Sequence, residues 1–237
     1  MFDQLSIQKI RNIIGLISLL VATGCATVTS NVYQSASAMS PPLSSKILIL
    51  PSDVVISLKN AGGNNEPRAD WSEQTQSNLQ EAIIGYMFEN GVEAIPYGSS
   101  RLEDGHVNVL RQAMVMMDGV ELSQKGGGIG SERFYALSAD SRVKLEGFGA
   151  DYVLIVALRS EVASGGRQAV AILGALAGAA VSTSSAQFRA AIFDLRDGQL
   201  AWANFDASAL SDIGNVVNAG EEKWAVAVSH ILSEFPL

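Results

Sequence analysis

The chain holds one cysteine, Cys25, and two histidines, His106 and His230, so few groups are available for covalent or metal chemistry. A zinc site takes four ligands from Cys, His, Asp and Glu. The two histidines stand far apart, would need carboxylates to complete a site, and form no His-Glu-x-x-His spacing. Asp104, His106 and a serine have the residue types of a nucleophilic triad, but the Gly-x-Ser-x-Gly elbow that presents such a serine is absent. Lys125-Gly126-Gly127-Gly128-Ile129-Gly130 has the glycines of a phosphate loop in the wrong order. The lysine precedes them and no Lys-Ser/Thr pair follows, so the stretch reads as a loop. The expectation is a protein that is not an enzyme, with no catalytic, metal or cofactor-binding residue and no cofactor.

The cysteine has a more telling setting. Lys9 and Arg11 open the chain with positive charge, and Ile13 to Ala22 is an apolar run too short to span a bilayer. Thr23 and Gly24 are small, which gives a peptidase access to the backbone ahead of Cys25. Ala22-Thr23-Gly24-Cys25 resembles the lipobox of bacterial lipoprotein precursors, with alanine where leucine is commoner. The resemblance implies a diacylglyceryl group on the Cys25 thiol, cleavage before Cys25 and acylation, as with palmitate, of the new amino terminus. Several acyl chains at about 0.8 kcal/mol per buried methylene make such an anchor effectively permanent. Ala26 follows the cysteine rather than aspartate, which in that family directs a protein to the outer membrane, facing the periplasm. A lipidated Cys25 leaves no thiol for disulfides, metal clusters or thiol catalysis.

Removing residues 1–24 from 237 leaves 213. The lost segment holds Lys9, Arg11 and Asp3, a net +1, so the formal charge moves from −8 to −9. That length suits one sizeable domain. An acidic chain of pI near 4.8 is a poor partner for nucleic acid or anionic lipid. With 48% hydrophobic residues it can build a core, which excludes global disorder.

Residues 25–45, with Ser35-Ala36-Ser37-Ala38 and Pro41-Pro42, read as a lipidated tether, and 46–237 as one periplasmic domain. Lys46 to Pro51 is a continuous apolar run expected of a strand buried on both faces. Asp53 to Leu58 reads as an edge-type strand and Gly62 to Pro67 as a loop. Asp70, with Glu73 three residues on, is placed to cap a helix whose buried stripe is Thr75, Leu79, Ile83 and Met87 and whose stop is Gly91. Val92 to Tyr97 returns as a strand, completing a βαβ-like unit. Val107, Leu110, Ala113, Met114, Met117 and Val120 mark a second helix, its methionines read as core filler. Ser138 or Asp140 caps a third, over 139–147. Ala150 to Leu158 is the strongest strand pattern, and Arg196-Asp197-Gly198 between two apolar runs signals a hairpin. Asn218 to Glu221 open a last helix with Trp224, Val228, Ile231 and Phe235 on one face, stopped by Pro236.

One segment fits none of these patterns. Residues 169–181 are apolar and uncharged over 13 positions, with small residues every three or four. Three readings stay open: a buried helix or strand, a membrane-inserted element, or an interaction surface carried by Ile172, Leu173, Gly174, Leu176 and Gly178. A barrel wall would alternate apolar and polar residues, and this segment does not.

The strand at 46–51, the helix from Trp71, Ala150-Asp151-Tyr152-Val153-Leu154 and the Phe193 to Trp202 hairpin together resemble one group of bacterial envelope lipoproteins. The group is related to the curli secretion lipoprotein and to the amino-terminal domain of the Tol-system translocation protein. The resemblance covers roughly residues 46–235 through short motifs, and it implies a fold and a compartment but no catalytic residue. The expected fold is α/β (α+β), a two- or three-layer sandwich with a mixed central sheet flanked by helices. The expected role is a non-enzymatic accessory or interaction component in envelope assembly or transport, acting through other envelope proteins or self-association. A ring-forming secretion pore component is the alternative.

Overall fold

The structure, a computed structural model, describes residues 32–34, 45–98, 105–125, 135–179, 181, 185–205, 213, 215–233 and 235. The signal segment, the lipobox residues Ala22, Thr23, Gly24 and Cys25, Asp104, the glycine run 126–130 and Pro236 lie outside the described residues. Asn31–Leu237 forms one compact unit.

Its organiser is the strand read from Ala150 to Leu158, which runs further, over Tyr152–Ala163 (β6). Twelve residues of strand are long enough to carry two partners end to end on one side. Lys46–Ile49 (β2) lies parallel to its first half, and Asp53–Lys59 (β3) lies parallel to its second. Pro51, which has no N–H to donate, falls in the break between them. On the other side Ser185–Asp194 (β7) pairs antiparallel along almost the whole of β6, and Leu200–Asn204 (β8) returns beside β7. The turn between β7 and β8 is the predicted one. Gly198 sits at φ 83°, Gly198 N–H donates to Asp194 O at 2.7 Å, and Asp197 Oδ1 accepts from Gln199 N–H.

The expected helix forms over Ala69–Glu89 (α1), with Thr75, Leu79, Ile83 and Met87 as its buried residues. Gly91 at φ 72° ends it: Gly91 N–H donates to Phe88 O and Val92 N–H to Met87 O. Glu93–Pro96 (β5) then pairs parallel with β2, so strand, helix and strand form the anticipated unit. Gly105–Lys125 (α2) and Ala139–Glu146 (α3) follow, the latter capped by Ser138, whose hydroxyl accepts from Ser141 N–H. Gly165–Leu176 (α4) connects β6 to β7, and Glu221–Ile231 (α5) closes the domain.

The described residues thus form a mixed eight-stranded sheet between two helical layers, which is the expected α/β fold in its three-layer form. One face of the sheet (Ile47, Ile49, Tyr152, Leu154, Val156, Phe188, Ile192 and Trp202) packs on α1 and α5. The opposite face (Leu48, Leu50, Val153, Ile155, Ala191 and Phe193) packs on α2 and α3. Alternate residues of β6 feed the two cores, as a period-2 strand buried on both faces requires.

Several expectations are corrected. Val32–Gln34 (β1), read as tether, pairs antiparallel with β8 at the sheet edge. Asn65–Pro67 (β4), read as loop, pairs with β3 through main-chain contacts that its polar composition does not announce. The strand at Asp53–Lys59 is therefore paired on both sides along part of its length rather than being an edge. Asp70 does not cap α1. Its carboxylate is held by the Arg68 guanidinium in a two-point contact, with Arg68 stacked 3.9 Å over the Trp71 ring, and the N-cap position is Arg68 itself. Asn218 does not cap α5 either. Gly220 stands at that N-cap without a side-chain bond, while Asn215 caps a single 3-10 turn over Val216–Asn218. In α2 the buried stripe begins at Val109, with Val107 exposed. Met117 is fully buried, and Met114 and Met116 pack against that core as filler.

Candidate functional site

The polar residues of the Ala150-Asp151-Tyr152 strand and of the hairpin hold the fold together. Asp151 joins three strands: its carboxylate accepts from Lys46 N–H at 2.9 Å, its N–H donates to Lys46 O, and its carbonyl accepts from Leu195 N–H. Asp194 grips Arg196, whose guanidinium also donates to the Tyr152 hydroxyl at 3.1 Å. Burial and the neighbouring Asp194 carboxylate push the Tyr152 phenol above its ordinary range, so it stays a neutral hydroxyl. The Ala150-Asp151-Tyr152 and Asp194 to Gly198 motifs therefore meet at one corner of the sheet, where they lock strand to hairpin. His106 packs its ring against Tyr97 at 5.4 Å between centroids, and His230 lies in the last turn of α5. Among the described residues, no three His, Cys, Asp or Glu side chains gather as metal ligands would.

Among the described residues, surface grooves accompany the helices. An open groove of about 600 Å³ lies along α2 and is lined by Val107, Leu110, Met114, Arg111, Arg159 and Arg189, among others. Two of its cations are engaged: Arg159 with Asp53, and Arg189 with Asp118 and Glu121. The second, about 350 Å³ between α1 and α5, carries Glu81, Glu89, Glu221 and Tyr86.

The feature that departs from ordinary packing is α4. Ser164 starts it, its hydroxyl accepting from Arg167 N–H, and its own N–H donates to Lys59 O at the end of β3. The first turn rests on the β3–β4 turn, where a side chain at Gly166 would meet the Ala61 methyl at 3.2 Å and one at Gly63 would meet the Arg167 guanidinium. From there the helix contains no buried residue. Ile172 is 64% exposed, Leu173 66% and Leu176 81%. Helical spacing puts Ala169, Ile172, Leu173 and Leu176 on one stripe, and the half-buried Arg167, Ala171 and Gly174 on the opposite line. Burial of 169–181 in the core is therefore excluded for the helical part.

The five residues singled out in this segment divide by role. Ile172, Leu173 and Leu176 form the exposed stripe. Gly174 and Gly178 serve the helix end. Gly178 at φ 75° donates to Ala175 O, and Ala179 N–H donates to Gly174 O at 2.8 Å, the same pair of hydrogen bonds that ends α1. A Cβ at Gly174 would lie 2.8 Å from a Val181 methyl as the chain folds back. Among the described residues, no helix is long and apolar enough to cross a membrane.

No protein-family model matches the chain, and no curated protein matches it. Solved structures similar to it include a PelC dodecamer from Paraburkholderia phytofirmans that carries one leucine-to-methionine substitution. It shows 11% identity, covering 88% of this chain and 99% of that one with a TM-score of 0.40. A second crystal form of the PelC dodecamer gives 10% identity, the same coverage and 0.38. The LpoB C-terminal domain from Salmonella enterica gives 10% identity over 73% and 85% of the two chains, at 0.28. At these scores the likeness assigns no function. The class defined by the molecule itself is a three-layer α/β domain with an exposed apolar helix at one end of its sheet.

Proposed function

We propose that this chain is a lipid-anchored, non-catalytic protein of the bacterial envelope, held in the outer membrane through Cys25 and facing the periplasm as an accessory in envelope assembly or transport. The observation that carries the reading is the run from Ile13 to Cys25: a short apolar segment, two small residues, and the sole cysteine of the chain. Two structural features support it. The conspicuous polar residues Asp151, Asp194, Asp197 and Ser138 are committed to strand, turn and cap contacts. The exposed apolar stripe of α4 is a surface suited to contact rather than to chemistry.

Cys25→Ser tests the anchor. The variant is expected to lose palmitate labelling and to leave the membrane fraction. Retention of both would sink the reading. Light scattering on the detergent-extracted protein separates the accessory from its alternative. A monomer or dimer fits the accessory, whereas a large discrete oligomer would replace it with a ring-forming secretion component.

A further inference from the structure

We infer that α2 carries a self-complementary face on which a second copy of this chain docks, antiparallel, about a two-fold axis. The two faces of α2 are used unequally. Val109, Ala113, Met117 and Val120 are buried against the sheet. The opposite face of such a helix is ordinarily polar and charged. Here it carries Val107 at 41% exposure, Val115 at 67% and Leu122 at 74%, with Arg111 and Asp118 between them. At about 100° per residue, these five positions and the half-buried Met114 fall within about 100° of arc. They make one continuous line along about 22 Å of helix.

The order of residues along that line selects the occupant. A two-fold axis midway between Met114 and Val115 exchanges residues equally far from the midpoint. Val107 then meets Leu122 of the second copy, Met114 meets Val115, and Arg111 meets Asp118. Each apolar side chain is set against an apolar one and each cation against an anion, twice over, as an isologous contact requires. Copies laid in parallel would set Arg111 against Arg111 and Asp118 against Asp118, so the charges fix the direction as well. The exposed stripe of α4 has no acidic residue and its one charge, Arg167, lies on another line, so it has no comparable means of choosing a partner.

Both charges are placed to serve. Arg111 is exposed, and its Nη1 stands 3.4 Å from Asn108 Oδ1 on its own helix. Asp118 is held by Arg189 through Oδ1, yet its side chain remains 62% exposed and open to a second guanidinium. A single helix face of this length buries less than the roughly 1,600 Å² of a standard interface. The pairing therefore belongs to the weak, transient class, with a Kd in the micromolar range or above.

The test is sedimentation equilibrium of the detergent-extracted protein over a concentration series, where a reversible monomer–dimer equilibrium is expected. Arg111→Glu and Asp118→Lys each bring like charges together at both ends of the contact, and each should weaken association about tenfold or more. Mixed in equal amounts, the two variants regain both opposite-charge pairs, and association should return to the parental level. A variant that had merely misfolded would not recover on mixing. The double variant, with the pair exchanged, should dimerise by itself. A parent that stays monomeric at about 1 mM overturns the inference. So does a dimer that survives both reversals, or a loss that neither mixing nor the double variant repairs. An assembly that grows beyond two copies, or a dimer abolished by Leu173→Asp and untouched by the reversals, places the contact elsewhere and overturns it too. The contact does not depend on the lipid anchor. Cys25→Ser should pair like the parent in the same assay, so loss of acylation and loss of pairing are read separately.

Discussion

Helices α1 and α4 are closed by the same device, a left-handed glycine with paired 6→1 and 5→2 bonds, yet their apolar residues have opposite fates. In α1, Leu79, Ile83 and Met87 are fully buried, and Val92, just past the glycine, is buried as well. In α4, Ile172, Leu173 and Leu176 face outward, and Ala179, just past its glycine, is exposed. The difference lies in what surrounds the apolar stripe. α1 sets Glu73, Gln74, Ser77 and Glu81 against its stripe, so one face is for water and the other for the core. α4 offers no polar counter-face and has no sheet surface left to cover, because it lies beyond the last strand pair. Apolar composition alone does not decide burial; a place in the layers does.

Breaking the buried stripe should have the largest effect. Leu79→Ala removes a fully buried side chain from the main core and is expected to cost about 2–5 kcal/mol, read as a clear fall in Tm. An unchanged Tm would mean that α1 is not part of the cooperative unit. The two closing glycines sharpen the comparison. Nothing lies within 4 Å of a Cβ built at Gly91 or at Gly178, so alanine at either meets only the cost of a positive φ, about 1–2 kcal/mol. Gly91→Ala should lower global stability by that amount. Gly178→Ala should leave it nearly unchanged, because fraying of α4 uncovers no core. Equal losses would show that the arm is as integral as α1.

A smaller effect is expected at the base of the arm. Lys59 Nζ lies 2.7 Å from Glu161, and this hydrogen bond outweighs partial burial to hold the Glu161 carboxyl below the usual range. A depressed folded pKa stabilises above the unfolded value of about 4.3, and that contribution fades as pH falls through the folded value. Glu161→Gln should therefore be less stable than the parent at pH 7 by about 0.2–1 kcal/mol, with the gap narrowing as pH falls below the unfolded value. A gap that does not narrow in acid would contradict the ion pair as its origin. The smallest change belongs to the exposed stripe. Leu173→Asp should alter stability by no more than about 0.5 kcal/mol in detergent solution, measured by chemical denaturation.

What could be read in the chain follows from the same physics. The β6 run, the Asp197-Gly198 hairpin and the α1 stripe each have a local pattern tied to one structure, and each forms where it was read, β6 with shifted ends. β1 and β4 escaped because three-residue edge pairings are made by main-chain groups, which any side chains permit. Asp70 and Asn218 have capping side chains, but local competition decides their use. Arg68 takes the Asp70 carboxylate, and the chain before α5 turns at Asn215 and Gly220 instead. The start of the α2 stripe moved from Val107 to Val109 because neighbouring apolar positions fit a 3.6 period almost equally well. The exposure of α4 was one of three readings that composition left open. Its place past the end of the β6–β7 ladder, a property of the whole sheet, decides against burial.

The central claim is that the domain is carried on a membrane by a lipid at Cys25. The direct test is the intact mass of the chain extracted from membranes. The account predicts a polypeptide beginning at Cys25, 213 residues long, heavier than its sequence by a diacylglyceryl group and one further acyl chain. A chain that retains residues 1–24, or one cleaved nearby with an unmodified cysteine, would contradict it.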